Sequence, residues 1–301
     1  MAVNCGHELR PRIAPASGMV CVLFAKLMPV NSEVAARVER LELPFNRYGF
    51  DPYGVEKEEL ARFFTWLGWL YRRYFRSEVY GIEHIPARGR AMLVGNHQGG
   101  IAIDAAMVIS SAFFEMDPPR LAQGMVEKFL GSLPGASHVT SKVGQFAGLP
   151  EHAVRLLEDD RLLMVFPEGA RGTAKLERDC NSLVRFGTGF MRLAMRAGAP
   201  IVPLAFIGGG EAFPTIANLH RVGKLLGVPY IPVTRYLIPL PRPTTFQILY
   251  SKPMRFEGTG DESDAIIAGY VEEVRARIGW LIEQGQGLRE GRLSAQELEL
   301  G

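Results

Sequence analysis

Residues 91–104 read AMLVGNHQGGIAID, and this stretch decides the fold prediction. Ala91–Gly95 has the apolar pattern of a buried strand and runs directly into a polar, glycine-rich segment. A helical pattern begins near Asp104 and continues to Phe114. Because open α/β sheets present functional groups beyond the carboxyl ends of their strands, His97 is expected at a functional edge of a sheet.

His97 and Asp104 are the candidate catalytic pair in this stretch. An imidazole can take a proton from an alcohol, and a carboxylate can fix the ring tautomer and stabilise the cation that forms. Seven positions along a straight helix would separate the two residues by about 10 Å, too far for a hydrogen bond. Gly99 and Gly100 allow the chain to fold back between them. Taken alone, the pair is also compatible with an ordinary polar loop.

Strand and helix patterns alternate along the rest of the chain. Strand-like apolar runs occur at 78–82, 91–95, 121–126, 162–166, 201–207 and 245–250, with helical patterns at 104–114, 152–159 and 189–197. This alternation predicts an α/β fold with a mixed, mostly parallel central sheet flanked by helices. We expect a helical segment over 1–77, the sheet domain over 78–258, and a C-terminal helix and tail over 259–301. Residues 222–243 hold five prolines and are predicted to form a long packed loop.

A second polar turn follows another apolar strand, where residues 165–172 read VFPEGARG. Arg171 offers a planar set of donors that matches a phosphate. Gly169 and Gly172 permit close approach of the backbone to a ligand. Glu168 has two interpretations, as an acceptor from a substrate hydroxyl or as a partner that holds Arg171. A strand-ending turn with a surface ion pair is the simpler alternative for this stretch alone.

Together, the two turns resemble the first and third motif blocks of the glycerolipid acyltransferase superfamily. In that family an Asn-His pair is followed by Asp, and later by Phe-Pro-Glu-Gly-x-Arg. Residues 186–190 (FGTGF) and 199–204 (APIVPL) are similar to later stretches of the family pattern, in the same order. The resemblance covers about residues 78–255 and implies a glycerol-3-phosphate acyltransferase-like fold.

The resemblance implies acyl transfer through a ternary complex, without an acyl-enzyme. His97 would be the general base on the acceptor hydroxyl, and Asp104 would orient it. The freed oxygen would attack the thioester of acyl-CoA or acyl carrier protein, which is the co-substrate; no metal and no cofactor is expected. The acceptor would be a lysophospholipid, monoacylglycerol or diacylglycerol. The residues expected to bind substrate are Asn96, Gly99, Gly100, Glu168, Gly169 and Arg171.

Two departures from the family pattern bear on the acceptor. The family commonly places four residues between His and Asp, whereas six separate them here. This expanded loop resembles the branch that contains monoacylglycerol and diacylglycerol acyltransferase-like proteins. The second block of the family usually supplies a phosphate-binding arginine, but residues 143–148 (VGQFAG) contain none. Both departures weaken the case for a phosphorylated acceptor and leave a neutral one open.

The N-terminal part of the chain has features of a membrane-docking segment. Residues 18–30 are apolar but shorter than a membrane span and carry Lys26. They fit an apolar helix that packs on the domain or lies in the membrane surface or, alternatively, a signal peptide. A helix predicted over 55–76 combines seven aromatic residues with four arginines. Such a mixture suits a membrane interface, although an ordinary core helix is equally compatible. We expect a peripheral or monotopic protein on the cytoplasmic face of a membrane.

Composition and missing motifs exclude several other classes. A formal net charge of +2 gives no support to nucleic-acid binding, and three scattered cysteines indicate no disulfide framework. The sequence contains neither the Gly-x-Ser-x-Gly of serine hydrolases nor the His-Glu-x-x-His of zinc proteases. Two alternatives remain: a non-catalytic lipid-binding or membrane protein of the same fold, and an acyl-thioester hydrolase.

Overall fold

The computed structural model describes residues 29–98, 103–126, 140–147, 150–237 and 240–301. The predicted diglycine bend at Gly99 and Gly100, and residues 18–28 of the apolar N-terminal stretch, lie outside these ranges. In the described ranges, the strands are β1 (Glu78–Tyr80), β2 (Ala91–Gly95), β3 (Ala122–Val126), β4 (Phe146–Ala147), β5 (Leu162–Val165), β6 (Ile201–Ile207), β7 (Thr215–Leu219), β8 (Ile231–Thr234) and β9 (Gln247–Tyr250).

Helices precede, separate and follow these strands in the sequence. They are α1 (Ser32–Glu39), α2 (Lys57–Trp69), α3 (Ile103–Phe114), α4 (Pro150–Glu158), α5 (Ala170–Thr173), α6 (Gly189–Arg196), α7 (Gly209–Ala212), α8 (His220–Leu226) and α9 (Asp264–Arg289). A π-helical turn, Leu70–Tyr74, continues α2. Short 3-10 helices occupy Ile82–His84, Glu177–Asp179 and Ala295–Glu297. None of the helices in the described ranges is both long and apolar enough to span a bilayer.

Seven strands form the central sheet, in the order β1-β9-β6-β2-β5-β3-β4. All neighbours are parallel except β6 and β9. The prediction of a mixed, mostly parallel sheet flanked by helices is therefore confirmed. Strands β2 and β6 are buried along their whole length, as expected for central strands covered on both faces.

The antiparallel pairing of β6 with β9 determines which segments lie beside the ends of the parallel strands. Ile207, at the end of β6, pairs with Gln247, at the start of β9. Since β1 is parallel to β9, the start of β1 also lies where β2, β5 and β6 end. We call this side of the sheet the carboxyl edge. The segments that precede β1 and β9 therefore reach the same edge as the residues that follow β2.

The aromatic helix α2 contributes mainly to the core. Phe64 is buried, and its ring stacks on Phe113 of α3 with centroids 3.7 Å apart. After the π turn, Phe75 is buried against Phe246 at 4.4 Å. Trp69, by contrast, is half exposed. The helix thus has a core face and a solvent face, which explains why its composition fitted both interpretations.

The predicted long loop at 222–243 is wrong over part of its length. The structure forms α8 there and pairs β8 with β7 in an antiparallel ribbon. Pro232 lies inside β8, opposite Asn218. A proline is tolerated there because, among the described residues, β8 pairs with β7 alone and needs no second row of donors. Pro232 therefore marks an edge strand, whereas Pro241 and Pro243 lie in a segment without helix or strand, as predicted.

Candidate active site

Asn96 extends the pairing of β2 with β6 by one residue. Its side-chain Oδ1 accepts from the Phe206 N–H at 2.8 Å, and its Nδ2 donates to the Phe206 carbonyl at 2.9 Å. The amide thereby imitates a backbone unit of the ladder, and the residue is completely buried. The expectation that Asn96 contacts substrate has to be revised, because both ends of its amide are bonded inside the protein. Asn96 fixes the point at which the next residue leaves the sheet.

His97 and Asp104 meet directly. The His97 Nδ1 lies 2.6 Å from the Asp104 Oδ2, and the same oxygen accepts the Gln98 N–H at 2.6 Å. Asp104 stands in the first turn of α3 and is fully buried, while His97 keeps 8% of its surface exposed. The predicted contact between the two side chains is therefore present. The catalytic role of the pair stays a prediction.

The ring of His97 is oriented with one nitrogen left for chemistry. A carboxylate only accepts, so Nδ1 carries the proton and donates it to Asp104. Nε2 then holds a lone pair, and within the described residues it has no hydrogen-bond partner. Phe166 stacks on the ring with centroids 4.5 Å apart and an interplanar angle of 11°. Stacking and the Asp104 bond together prevent rotation of the imidazole.

Glu168 supports His97 from the second turn. Its Oε1 accepts the His97 backbone N–H at 3.0 Å, and its Oε2 accepts the Val184 N–H at 3.2 Å. Lys175 approaches the carboxylate to 2.9 Å and also donates to the Ser182 carbonyl at 2.9 Å. Glu168 is 1% exposed, so the expectation that it accepts from a substrate has to be revised. It joins the two turns and carries a buried ion pair.

The glycines of the second turn allow it to lie against the first. Gly169 has φ 56° and ψ −150°, a conformation that side chains other than hydrogen rarely permit. A β-carbon on Gly172 would lie 2.6 Å from the His97 Cβ and 2.8 Å from the Glu168 Cβ. Gly172 is therefore the position at which the second turn contacts the imidazole residue.

Arg171 lies on the outside of the same turn. Its side chain is exposed and donates to the Arg185 carbonyl at 3.2 Å. It does not pair with Glu168, whose cationic partner is Lys175. The predicted site residues thus divide into a buried group around His97 and a solvent-facing guanidinium.

Three residues of the site were not predicted as such. Lys175 lies outside the VFPEGARG motif, and nothing in the local pattern marks it as the partner of Glu168. Phe166 is in the motif but had no assigned role. Gln98 contributes its backbone N–H to Asp104 and its Nε2 to the Asn181 Oδ1 at 3.0 Å. The sequence offered a signal only for Phe166, because an aromatic residue at the end of a strand, close to a candidate imidazole, is suited to stack on that ring.

Comparisons with known proteins agree with the motif resemblance. Residues 76–207 match the family model described as Acyltransferase. An uncharacterised protein of Mycobacterium tuberculosis is 33% identical over 219 residues, which are 69% of this chain and 59% of the relative. The DGAT1/2-independent enzyme synthesizing storage lipids of Homo sapiens is 28% identical over 141 residues, 47% of this chain and 43% of that enzyme. The chain therefore spans less than two thirds of the length of these relatives.

A solved structure has the same fold. The 1-acyl-sn-glycerophosphate (LPA) acyltransferase, PlsC, from Thermotoga maritima aligns with a TM-score of 0.50 and 17% identity. The alignment covers 90% of this chain and 89% of that chain. At this identity the likeness concerns the arrangement of strands and helices, not the substrate.

Proposed function

Since the chain belongs to the glycerolipid acyltransferase superfamily, we propose that it moves a fatty acyl group from a thioester to a hydroxyl of a glycerolipid. The donor is acyl-CoA or acyl carrier protein. The observation that carries this proposal is the 2.6 Å bond between His97 Nδ1 and Asp104, which leaves Nε2 as a proton acceptor at the carboxyl edge.

The reaction follows from that geometry. Nε2 of His97 takes the proton of the acceptor hydroxyl while the oxygen attacks the thioester carbonyl carbon. Asp104 holds the Nδ1 proton and stabilises the imidazolium. When the tetrahedral intermediate collapses, the carbon–sulfur bond breaks and the leaving thiolate takes the proton from Nε2. The products are the acylated lipid and a free thiol, and His97 returns to its starting form.

Asn96 and Glu168 act as positioning residues in this mechanism. Asn96 anchors the chain to β6 immediately before His97, and Glu168 holds the His97 N–H. Lys175 neutralises the buried carboxylate of Glu168. Their contribution is the fixed placement of the base, because a well-oriented group reacts much faster than one that must first be ordered.

The acceptor we favour carries no phosphate. Residues 143–147 contain no guanidinium, and Gln145 uses its Oε1 to accept the Gly124 N–H at 2.9 Å. Arg171, the cation of the second turn, faces solvent and not His97. Monoacylglycerol and diacylglycerol therefore fit better than lysophosphatidic acid. The name of the human relative, an enzyme synthesizing storage lipids, is compatible with this choice.

We place the protein at the cytoplasmic face of a membrane, where such acceptors reside. The apolar N-terminal stretch 18–30 and the solvent face of the α2 region are the proposed contacts. Trp69 is half exposed, and Arg73 and Arg76 are exposed. Aromatic rings and arginines together suit the headgroup region. We expect Arg73→Glu with Arg76→Glu to weaken binding to anionic vesicles, measured by flotation; unchanged binding would contradict this placement.

The experiment follows a labelled acyl group from acyl-CoA in the presence of monoacylglycerol, diacylglycerol or lysophosphatidic acid. Label in glycerolipid supports the proposal, with neutral acceptors used best. Label in free fatty acid would indicate a thioester hydrolase, and no turnover with acyl-CoA or acyl carrier protein would indicate a lipid-binding protein.

The matched variants are His97→Ala and His84→Ala. His84 is also partly buried, but it bonds the Tyr250 carbonyl at the opposite edge of the sheet. We expect transfer to be lost only in His97→Ala, with that variant still folded by circular dichroism. Near wild-type transfer by that variant would remove the mechanism.

A further inference from the structure

We infer that residues 215–234, comprising β7, α8 and β8, form a docking surface for an anionic lipid bilayer beside His97. We call these residues the ribbon–helix unit. The inference rests on the proposed function, because a lipid acceptor has to reach the site from a bilayer. It assigns the contact to a part of the chain distant in sequence from the N-terminal segment and α2.

The ribbon–helix unit exposes more large apolar side chains than its size requires. Leu225 is 86% exposed, and three further apolar residues of the unit are between 44% and 49% exposed. These three are Ile216, Leu219 and Val222. Isolated exposed leucines are common on soluble proteins, but a group within so few residues indicates an interaction surface.

The charge of the same region is one-sided. From Ala212 to Phe256 the sequence contains no aspartate and no glutamate. Arg221 and Lys224 of α8 are exposed, and neither forms an ion pair with any described residue. Cations without an ion-pair partner in the described part of the chain, next to exposed leucine and valine, are the combination expected of a surface that lies in anionic headgroups.

The chain topology puts this unit at the carboxyl edge. It follows the end of β6 and leads back to the start of β9, both of which lie at that edge. Tyr230 bonds the Thr173 hydroxyl at 2.5 Å, and Asn218 donates to the Ala174 carbonyl at 2.6 Å. These contacts attach the unit to α5, whose Gly172 lies against His97. A bilayer seated on the unit would border the proposed site.

An acidic protein, such as an acyl carrier protein, is the other occupant that a basic surface could attract. Charge alone would be enough to bind such a partner. The exposure of Leu225 would then have no role in binding and would only favour aggregation. A bilayer uses both features, because apolar side chains enter the boundary between headgroups and acyl chains while cations meet the lipid phosphates. The joint presence of Leu225, Arg221 and Lys224 therefore favours the lipid surface.

The test uses the full chain, without substrates, in flotation with phosphatidylglycerol–phosphatidylcholine vesicles and with pure phosphatidylcholine vesicles. One variant is Leu225→Asp, and the other is Arg221→Glu with Lys224→Glu. Matched controls lie at the opposite edge. Ile266→Asp changes a residue that is 47% exposed, and Lys252→Glu with Arg255→Glu reverses two exposed cations of the same acid-free stretch.

We expect each ribbon–helix variant to bind the anionic vesicles about tenfold more weakly or worse, and the controls to bind as wild type. Equal weakening by variants and controls would overturn the inference, as would unchanged binding of Leu225→Asp. The inference would also be overturned if the ribbon–helix variants lost binding to acyl carrier protein, measured without vesicles, while their vesicle binding stayed intact. Vesicle binding does not depend on catalysis, so His97→Ala should still bind the vesicles. A wild-type protein that binds vesicles through Leu225 but shows no transfer would contradict the proposed function and leave this docking surface standing.

Discussion

The two turns at the carboxyl edge contain similar residue types but differ in where their polar atoms are bonded. The first turn, residues 96–98 with Asp104, leaves Nε2 of His97 without a hydrogen-bond partner among the described residues. The second, residues 166–172, directs its carboxylate inward to His97 and Lys175. The difference teaches that an acidic residue in such a motif can hold the main chain of the proposed base rather than bind a substrate. Each variant below tests that division of roles.

The largest effect is expected for Asp104→Asn. The amide is neutral, so it cannot stabilise the imidazolium. Its NH₂ group would also face an N–H that now donates to Asp104, either the ring N–H of His97 or the backbone N–H of Ala105. We expect transfer to fall by about 10² to 10⁴ fold. Single-turnover kinetics measure the fall, and exposed Asp261→Asn serves as control. A loss of less than a few fold would mean that His97 is not the base.

Lys175→Met comes next and tests the second turn. It leaves the Glu168 carboxylate buried without its cation, since the two side chains are 0% and 4% exposed. We expect about 3–5 kcal/mol lower free energy of unfolding, measured with denaturant. Exposed Lys252→Met should change little. If Glu168 instead faced the substrate, the variant would remain stable and only KM would rise.

Gly172→Ala should have an intermediate effect, because it separates the two turns. The added methyl group would overlap the Cβ atoms of His97 and Glu168, so the backbone that carries these atoms would have to move. We expect about 1–3 kcal/mol of destabilisation and a lower kcat with little change in KM. Gly269→Ala is the control, as a β-carbon there meets open space on α9. Wild-type kcat in Gly172→Ala would show that the turns need not touch.

Arg171→Gln is expected to have the smallest effect. The side chain is exposed, so the free energy of unfolding should change by less than about 0.5 kcal/mol. With a neutral acceptor, KM should stay as in wild type. A large rise in KM that occurs only with lysophosphatidic acid would instead bring Arg171 into the acceptor site and favour a phosphorylated substrate.

Much of the fold followed from the sequence because its strands are short apolar runs that end in polar turns. Ala91–Gly95 and Ile201–Ile207 have the predicted bounds. Phe146–Ala147 was missed, since two residues are too few to show a period. Thr215–Leu219 and Ile231–Thr234 were missed because prolines and exposed faces obscure the alternation on which strand prediction depends.

The candidate site was predictable to the level of its motifs but not of its bonds. Spacing and glycine content predicted that His97 meets Asp104. The inward roles of Asn96 and Glu168 depend on Phe206 and Lys175, which come from other elements of the chain. A single sequence does not show which residue faces a buried carboxylate, because that is decided only when the strands pair. Arg171 is the cation nearest to Glu168 in sequence, and for this reason it was the natural but incorrect choice as the partner of that carboxylate.

The triple anchoring of residues 96–98 has a consequence for how an interfacial reaction would begin. The Asn96 amide, the His97 N–H and the Gln98 N–H are all bonded within the fold before any ligand arrives. The conformational entropy of fixing the proton acceptor is thus lost during folding and not during encounter. Under the proposed function, an acceptor lipid diffusing in the plane of a membrane would meet a preorganised imidazole, and its binding energy would remain available to extract the reacting hydroxyl from the headgroup layer.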